Sequence, residues 1–308
     1  MTVTKHVTKL KTALRFALGF AAVWAAVFLA PPAAERAASA VPPGARTPAA
    51  ADSLWRSLAP GLDVGEFQAP TLSPVGDSRI RVLRIDPRRF ALRLLSASRE
   101  GHARSARTWC RDFGLVAAVN ASMFQEDGRT SVSLLRGPDH VNNAHVSRDK
   151  TVLVFDPVDS ADAPVRMLDR ECDDFDAWLP RYRSHVQSIR MISCTGRNVW
   201  SQQPRRWSAA AVGLDRSGRV LFIHARSPYS THDLIDHLQQ LPLEIDRCMY
   251  VEGGPEAQVF AAVGDEEIEW VGSFQTGFFP DNSNRRAWPV PNVIAVTARA
   301  GDAAGPED

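Results

Sequence analysis

Glu252 and Glu256 stand four residues apart around Gly253-Gly254-Pro255, directly after the apolar run Met249-Tyr250-Val251. Two carboxyls delivered to one place are the usual equipment for glycoside hydrolysis, one acting as acid and the other as base or nucleophile. A carboxyl that follows an apolar strand loses solvent, which raises its pKa and suits it to proton transfer near neutral pH. Gly253 and Gly254 permit unusual backbone angles and close approach of a ligand. The competing reading of Glu252 is a turn carboxylate that caps nearby N–H groups. Asn120 is the third candidate. It ends the apolar run Leu115-Val116-Ala117-Ala118-Val119, with the small Ala121 and Ser122 behind it and Phe124 and the turn-like Gln125-Glu126-Asp127-Gly128 beyond. A strand end fixes such an amide, and small neighbours leave room for substrate.

An anionic substrate also needs cations. Arg190, Arg206 and Arg226 lie on or beside strands, and the planar guanidinium suits phosphate oxygens. Each of them is also explicable as one of 36 basic residues on a solvated surface. Gln187 and the pair Asn142-Asn143 offer amides to sugar hydroxyls, and His224 ends a strand where it could shuttle a proton or simply pack as a satisfied histidine. Trp200, Trp207 and Trp288 present ring faces for a sugar, although aromatic packing accounts for most tryptophans.

Three segments in order carry a resemblance. Asn120-Ala121-Ser122-Met123-Phe124, Gln187-Ser188-Ile189-Arg190 and Glu252-Gly253-Gly254-Pro255-Glu256 resemble the phosphodiester glycosidase family over about Trp55 to Val296. That family's pattern runs through a strand ending in Asn-Gly/Ala-x-Phe, a Gln-Ser-Gly-Pro-like strand, an Arg-Thr-Ala-x-Gly strand and a strand ending in Asp-Gly-Gly. The resemblance implies hydrolysis of a glycosyl phosphodiester, such as one bearing N-acetylglucosamine, with Glu252 as acid or base, Asn120 orienting substrate and Arg190 neutralising the phosphate. This chain departs from the pattern at Glu252 for Asp, at Ile189-Arg190 for Gly-Pro, and near Ala209, where the family's arginine is missing and Arg205 and Arg206 stand just upstream. The departures leave open a non-catalytic envelope protein that binds carbohydrate in the same pocket, or a glycosidase acting on an ordinary sugar linkage.

The elements that must position these residues are mainly strands. Alternating patterns predict strands over 78–85, 90–97, 151–155, 187–192, 208–214, 220–224, 248–251, 257–263, 267–271 and 292–298. Helices are predicted over 103–113, ended by Gly114, from Asp173 to about Arg183, and from Ser230 or Thr231 to Leu241, where Leu234, Ile235, Leu238 and Leu241 share a face. Together they imply an α+β fold: one domain, a mixed β-sheet core and helices packed on it, covering one side.

Composition and ends set the remaining bounds. A formal net charge of +1 with 23% charged residues argues against nucleic acid or an anionic membrane as partner. Residues 1–40 combine Lys5, Lys9, Lys11 and Arg15, an apolar stretch from Phe16 to Ala30 and the small-residue run Ala38-Ser39-Ala40, the pattern of an export signal. An uncleaved anchor is the alternative, though the stretch is short against the ~20 apolar residues of a membrane span. Residues 41–52 read as a Pro/Ala-rich linker, 53–299 as the catalytic-type domain and 300–308 as a frayed tail, placing the protein in the periplasm or outside the cell. Export permits disulfides among Cys110, Cys172, Cys194 and Cys248, with Cys172–Cys194 the first pairing expected. No His-Glu-x-x-His, EF-hand, Gly-x-Ser-x-Gly or P-loop pattern occurs, so neither metal nor cofactor is expected.

Overall fold

The computed structural model describes residues 54–299. The export signal, the linker and the tail expected from sequence lie outside them. Among the described residues no helix is long and apolar enough to cross a membrane.

Two antiparallel sheets dominate. The larger contains β1 (Trp55–Ala59), β2 (Leu62–Gln68), β3 (Arg79–Ile85), β6 (Leu135–Gly137), β7 (His140–Asn143), β8 (Thr151–Pro157), β9 (Val165–Asp169), β10 (Tyr182–Ile192), β11 (Trp207–Asp215), β12 (Val220–Tyr229) and β13 (Ile245–Gly253). Its main order is β1-β2-β3-β12-β11-β13-β10-β6-β7, with β8 also on β10 and β9 on β8. The smaller sheet runs β15 (Glu266–Val271), β14 (Gln258–Val263), β5 (Ala117–Asn120), β16 (Asn292–Ala298), β4 (Phe90–Ser96). Every ladder between these strands is antiparallel. The mixed sheet expected from sequence is therefore corrected to two antiparallel ones in a sheet-rich single domain. Consecutive strands in the pairs β1–β2, β2–β3, β6–β7, β8–β9, β11–β12 and β14–β15 return through turns and short loops, which only antiparallel neighbours allow.

Alternation along each strand sorts the core into layers. Val119, Val212, Phe222, Met249, Val251, Val259 and Ile294 fill the space between the two sheets. Their neighbours on the opposite faces meet helices. Ala118, Phe260, Val293 and Ala295 pack against α2 (Ala106–Phe113), while Ile223, Cys248 and Tyr250 share a cluster with Leu234, Ile235 and Leu238 of α4 (Thr231–Gln240). A helix thus lies on each outer face, which corrects the expectation that helices cover one side of the sheet. Both helices have the predicted caps. Ser230 accepts from the Asp233 N–H, and Gly114 takes the left-handed conformation that ends α2.

The remaining helices are short: α1 (Ala97–Glu100) and α3 (Phe175–Trp178). The helix expected from Asp173 to Arg183 shrinks to α3 and a single 3-10 turn, because Pro180 follows at once and β10 begins at Tyr182. β1, β2, β6, β7 and β9 were not foreseen. β1 is an edge strand with an exposed centre, and β6 has only three residues, so neither shows alternation.

Cys172 and Cys194 form the expected disulfide, with Cα atoms 6.4 Å apart and a separation of 22 positions in sequence. Cys110 and Cys248 are buried free thiols, the former pushed up to about 12 by burial. A Cys172→Ser/Cys194→Ser double variant should lose about 3 kcal/mol of stability, the chain entropy released by a loop of this length, as measured by denaturant unfolding. The two remaining thiols should stay silent to a thiol reagent until the fold opens.

Candidate active site

The chain passes from the larger sheet to the smaller one between Gly253, the last residue of β13, and Gln258, the first of β14. Glu252 and Glu256 flank that crossing. A single 3-10 turn over Gly254–Glu256 makes the bend, with Gly254 at φ 65°. A side chain at Gly254 would also run into Gln275, and a Cβ at Gly253 would come within 2.1 Å of the Tyr250 hydroxyl oxygen. The two glycines are therefore required by close packing, and at Gly254 by backbone angle as well.

Both carboxyls line one open cleft of about 970 Å³. Trp200, Trp207 and Tyr250 form its aromatic wall, with ring centroids 6.1 Å apart for Trp200–Tyr250 and 6.4 Å for Trp207–Tyr250. Phe124 and Glu126 face them from the loop after β5, Phe278 adds another ring, and Arg205 supplies the cation. Arg205 is exposed and makes no hydrogen bond or ion pair within the described residues, so its charge is available to a ligand.

Burial pushes the Glu252 carboxyl up to about 8, and the neighbouring Glu256 adds to the rise, while the Gly253 N–H donated to its Oε1 at 2.9 Å opposes it. Burial also raises Glu256. Tyr250 lies well above its ordinary value, first through burial and then through the two carboxyls, so it stays a neutral hydroxyl. At neutral pH the cleft holds a protonated acid on a buried strand end beside a second carboxyl. Two carboxyls, both raised by burial, are groups of the kind that acid/base chemistry on a sugar linkage uses.

Asn120 is buried beneath this arrangement. Its Nδ2 donates to the Glu256 carbonyl at 2.9 Å and its Oδ1 accepts the Gln258 N–H at 2.9 Å. The amide therefore clamps the backbone that carries Glu256 and does not line the cleft. In place of the substrate contact expected of it, the Asn120 amide holds the backbone between Glu256 and Gln258.

A family model for phosphodiester glycosidases matches residues 113–297, the span from the end of α2 through β16. The chain belongs to the phosphodiester glycosidase family. Solved structures agree in fold. The zebrafish N-acetylglucosamine-1-phosphodiester α-N-acetylglucosaminidase catalytic domain, auto-inhibited by its pro-peptide, superposes with a TM-score of 0.55 at 12% identity, covering 79% of this chain and 86% of that one. A hypothetical protein from Synechocystis gives a TM-score of 0.52 at 14% identity, covering 78% of this chain but 62% of its own length, so this chain spans less than two thirds of that protein. No curated protein matches the sequence.

In this member of the family the polar candidates Arg190, Gln187, Arg226, His224, Arg206, Asn142 and Asn143 fall outside the cleft. The Arg190 guanidinium is spent on Asp169, at 2.8 and 2.9 Å, and on Glu171 at 2.8 Å. It borders the adjoining depression and not the carboxyl pair. Gln187 is fully buried and ties down the loop before β8, donating to the Asp149 carbonyl at 2.8 Å and accepting from the Ser147 N–H. Arg226 donates to the carbonyls of Val271, Asn282 and Asn284, which fixes the segment between β15 and β16. His224 is buried against Trp270 and the Ala257 carbonyl, and burial lowers it to about 3, so it cannot carry a proton near neutrality. Arg206 is exposed and its backbone pairs with Thr276, leaving its neighbour Arg205 as the cleft cation. Asn142 donates to the hydroxyls of Ser96 and Ser98, in β4 and α1, and Asn143 donates to the Ser131 carbonyl.

Sequence reasoning passed over Tyr250 and Glu126, and placed Arg205 only as a cation just upstream of the family's missing arginine. Tyr250 carried a readable signal, since it sits two residues before Glu252 on the same strand. Trp200 and Trp207 were foreseen as ring faces and both line the cleft, whereas Trp288 packs against Phe278 and Phe279.

Asn120→Ala removes both ties to the 256–258 backbone and leaves a buried N–H unpaired. It should cost roughly 1–3 kcal/mol in denaturant unfolding. Gly253→Ala should be worse for the site than for the fold, because the added methyl must displace the Tyr250 hydroxyl.

Proposed function

We propose that this protein is an exported hydrolase that cleaves a glycosyl phosphodiester, with Glu252 as general acid. The observation that carries the reading is the carboxyl pair. Of two neighbouring carboxyls one keeps its proton while the other ionises, and Glu252, held near 8, is the one that keeps it. Water adds across the bond between the sugar's anomeric carbon and the bridging oxygen. Glu252 gives its proton to that leaving oxygen, and Glu256 as carboxylate assists attack at the anomeric carbon. The products are the free sugar and a phosphate monoester. Arg205 meets the phosphate charge, and the aromatic wall of Trp200, Trp207 and Tyr250 takes the sugar face.

Family membership supports a carbohydrate-derived substrate and glycosidase-type hydrolysis. The zebrafish relative's named activity, on an N-acetylglucosamine-1-phosphodiester, favours an amino sugar as the first substrate class to test. The basic, apolar and small-residue order of residues 1–40 supports export. One observation favours the second reading, carbohydrate binding without turnover. Ala209, near which the family's arginine was expected, is buried and pairs with Gly253 in the β11–β13 ladder, so that cation is gone from the strand.

Turnover decides between them. Sugar release from N-acetylglucosamine-1-phosphodiesters should fall roughly 10²–10⁴-fold in Glu252→Gln. Wild-type activity should decline as pH rises through about 8, where the acid loses its proton. Near-normal turnover in the variant would remove Glu252 from the mechanism, and binding without release by the wild type would establish the second reading. The same residue predicts a stability effect of defined sign. Its folded pKa is raised from 4.5, so ionisation opposes folding increasingly between about 4.5 and about 8. Glu252→Gln should therefore raise Tm at pH 8, with the gain disappearing below pH 4.5.

A further inference from the structure

Next to the carboxyl cleft lies a second depression of about 380 Å³, and Ile189 and Trp200 line both. Trp200 is a fixed partition. Its indole N–H donates to the Arg190 carbonyl at 2.7 Å, its backbone N–H is held by Asn198 Oδ1 at 3.0 Å, and its ring leans on Tyr250. Beyond it the lining joins Val199 to the polar side chains of Arg148, Asp149, Lys150, Arg190 and Ser201.

The charges there are sorted. Asp149 turns its carboxylate to the hydroxyls of Ser133 and Ser147, at 2.9 and 2.8 Å. Arg190 is paired with Asp169 and Glu171. Lys150 keeps only a loose contact of 3.9 Å with Glu171, and Arg148 is exposed with no hydrogen bond or ion pair within the described residues. A cation without a protein partner therefore stands on each side of Trp200, Arg205 in the carboxyl cleft and Arg148 in the neighbouring depression.

We propose that the second depression is a binding site for the next anionic repeat of an oligomeric substrate, so that the protein acts on a polyanionic glycan and not on an isolated phosphodiester. One repeat places its sugar against Trp200, Trp207 and Tyr250, with its charge on Arg205. The chain then passes over the Trp200 edge, and the following repeat sets its anionic group against Arg148 and Lys150. This rests on the proposed reading of the carboxyl cleft for the location of the first repeat. The anionic group recognised is a phosphodiester or a carboxylate, since an exposed guanidinium accepts either.

The test is calorimetric binding to the full chain carrying Glu252→Gln, which prevents turnover. Synthetic sugar-1-phosphate oligomers of one, two and three repeats serve as probes, with a uronate dimer as the carboxylate arm. Affinity should rise roughly three- to tenfold from one repeat to two, the scale of one or two exposed ion pairs. The gain should shrink with added salt. Arg148→Ala/Lys150→Ala, both on the surface, should abolish the gain while leaving one-repeat affinity unchanged. Equal affinity for one and two repeats, or a gain untouched by the double variant, would overturn the second site. Hydrolysis of the one-repeat compound by the wild type without any second-repeat gain keeps the carboxyl mechanism and removes this site. The gain without hydrolysis keeps this site and removes the mechanism. A gain with the uronate dimer alone assigns the charge to carboxylates.

Discussion

The Asn120 amide spans the place where the two sheets exchange the chain. It belongs to β5 of the smaller sheet, and its two hydrogen bonds grip the carbonyl of Glu256 and the N–H of Gln258 as the backbone arrives from β13 of the larger one. A crossing of this kind cannot be satisfied by either ladder, so its polar groups need side-chain partners or they are lost from water unpaired. With Asn120 in place, a single 3-10 turn suffices to bend the chain, and the two glutamates that flank the turn hold a fixed relation to each other. The site exists because the crossover is rigid.

Burial then determines the chemistry. β13 lies between β11 and β10, with Met249 and Val251 facing the inter-sheet core and Tyr250 the opposite cluster. A strand so enclosed delivers Glu252 to the cleft with little solvent, and the lone backbone N–H of Gly253 does not compensate for what water would have given a carboxylate. Stability and function oppose one another at this residue, since the proton that burial favours is the proton the proposed reaction uses.

The parts of this account legible in the sequence are those governed by local pattern. The strands with strong alternation and the Ser230 and Gly114 helix ends could be read directly, because each is encoded within a few residues, and the Cys172–Cys194 bridge followed from its place across one helix–strand unit. Arg190, Arg226 and His224 show what could not be read. Each lies on a strand near the site, but what a side chain does there depends on partners distant in sequence: Asp169 for Arg190, the 271–284 carbonyls for Arg226, Trp270 and Ala257 for His224. Arg205 was obscured for the opposite reason. It sits in a loop without periodicity, and only the folding of that loop against β13 and the Phe124 segment brings it to the cleft. The sheet's antiparallel character likewise depends on which strands pair, and no single strand specifies that.

The most direct test of the account is the titration of one carboxyl. Carbon-13 NMR of protein labelled at glutamate side-chain carboxyls, with Glu252→Gln supplying the assignment, follows the proton on Glu252 without any substrate. The account predicts a midpoint near 8. A midpoint near the ordinary 4.5 would mean that Glu252 is ionised at neutral pH, and it could not then be the acid on which the proposed hydrolysis depends.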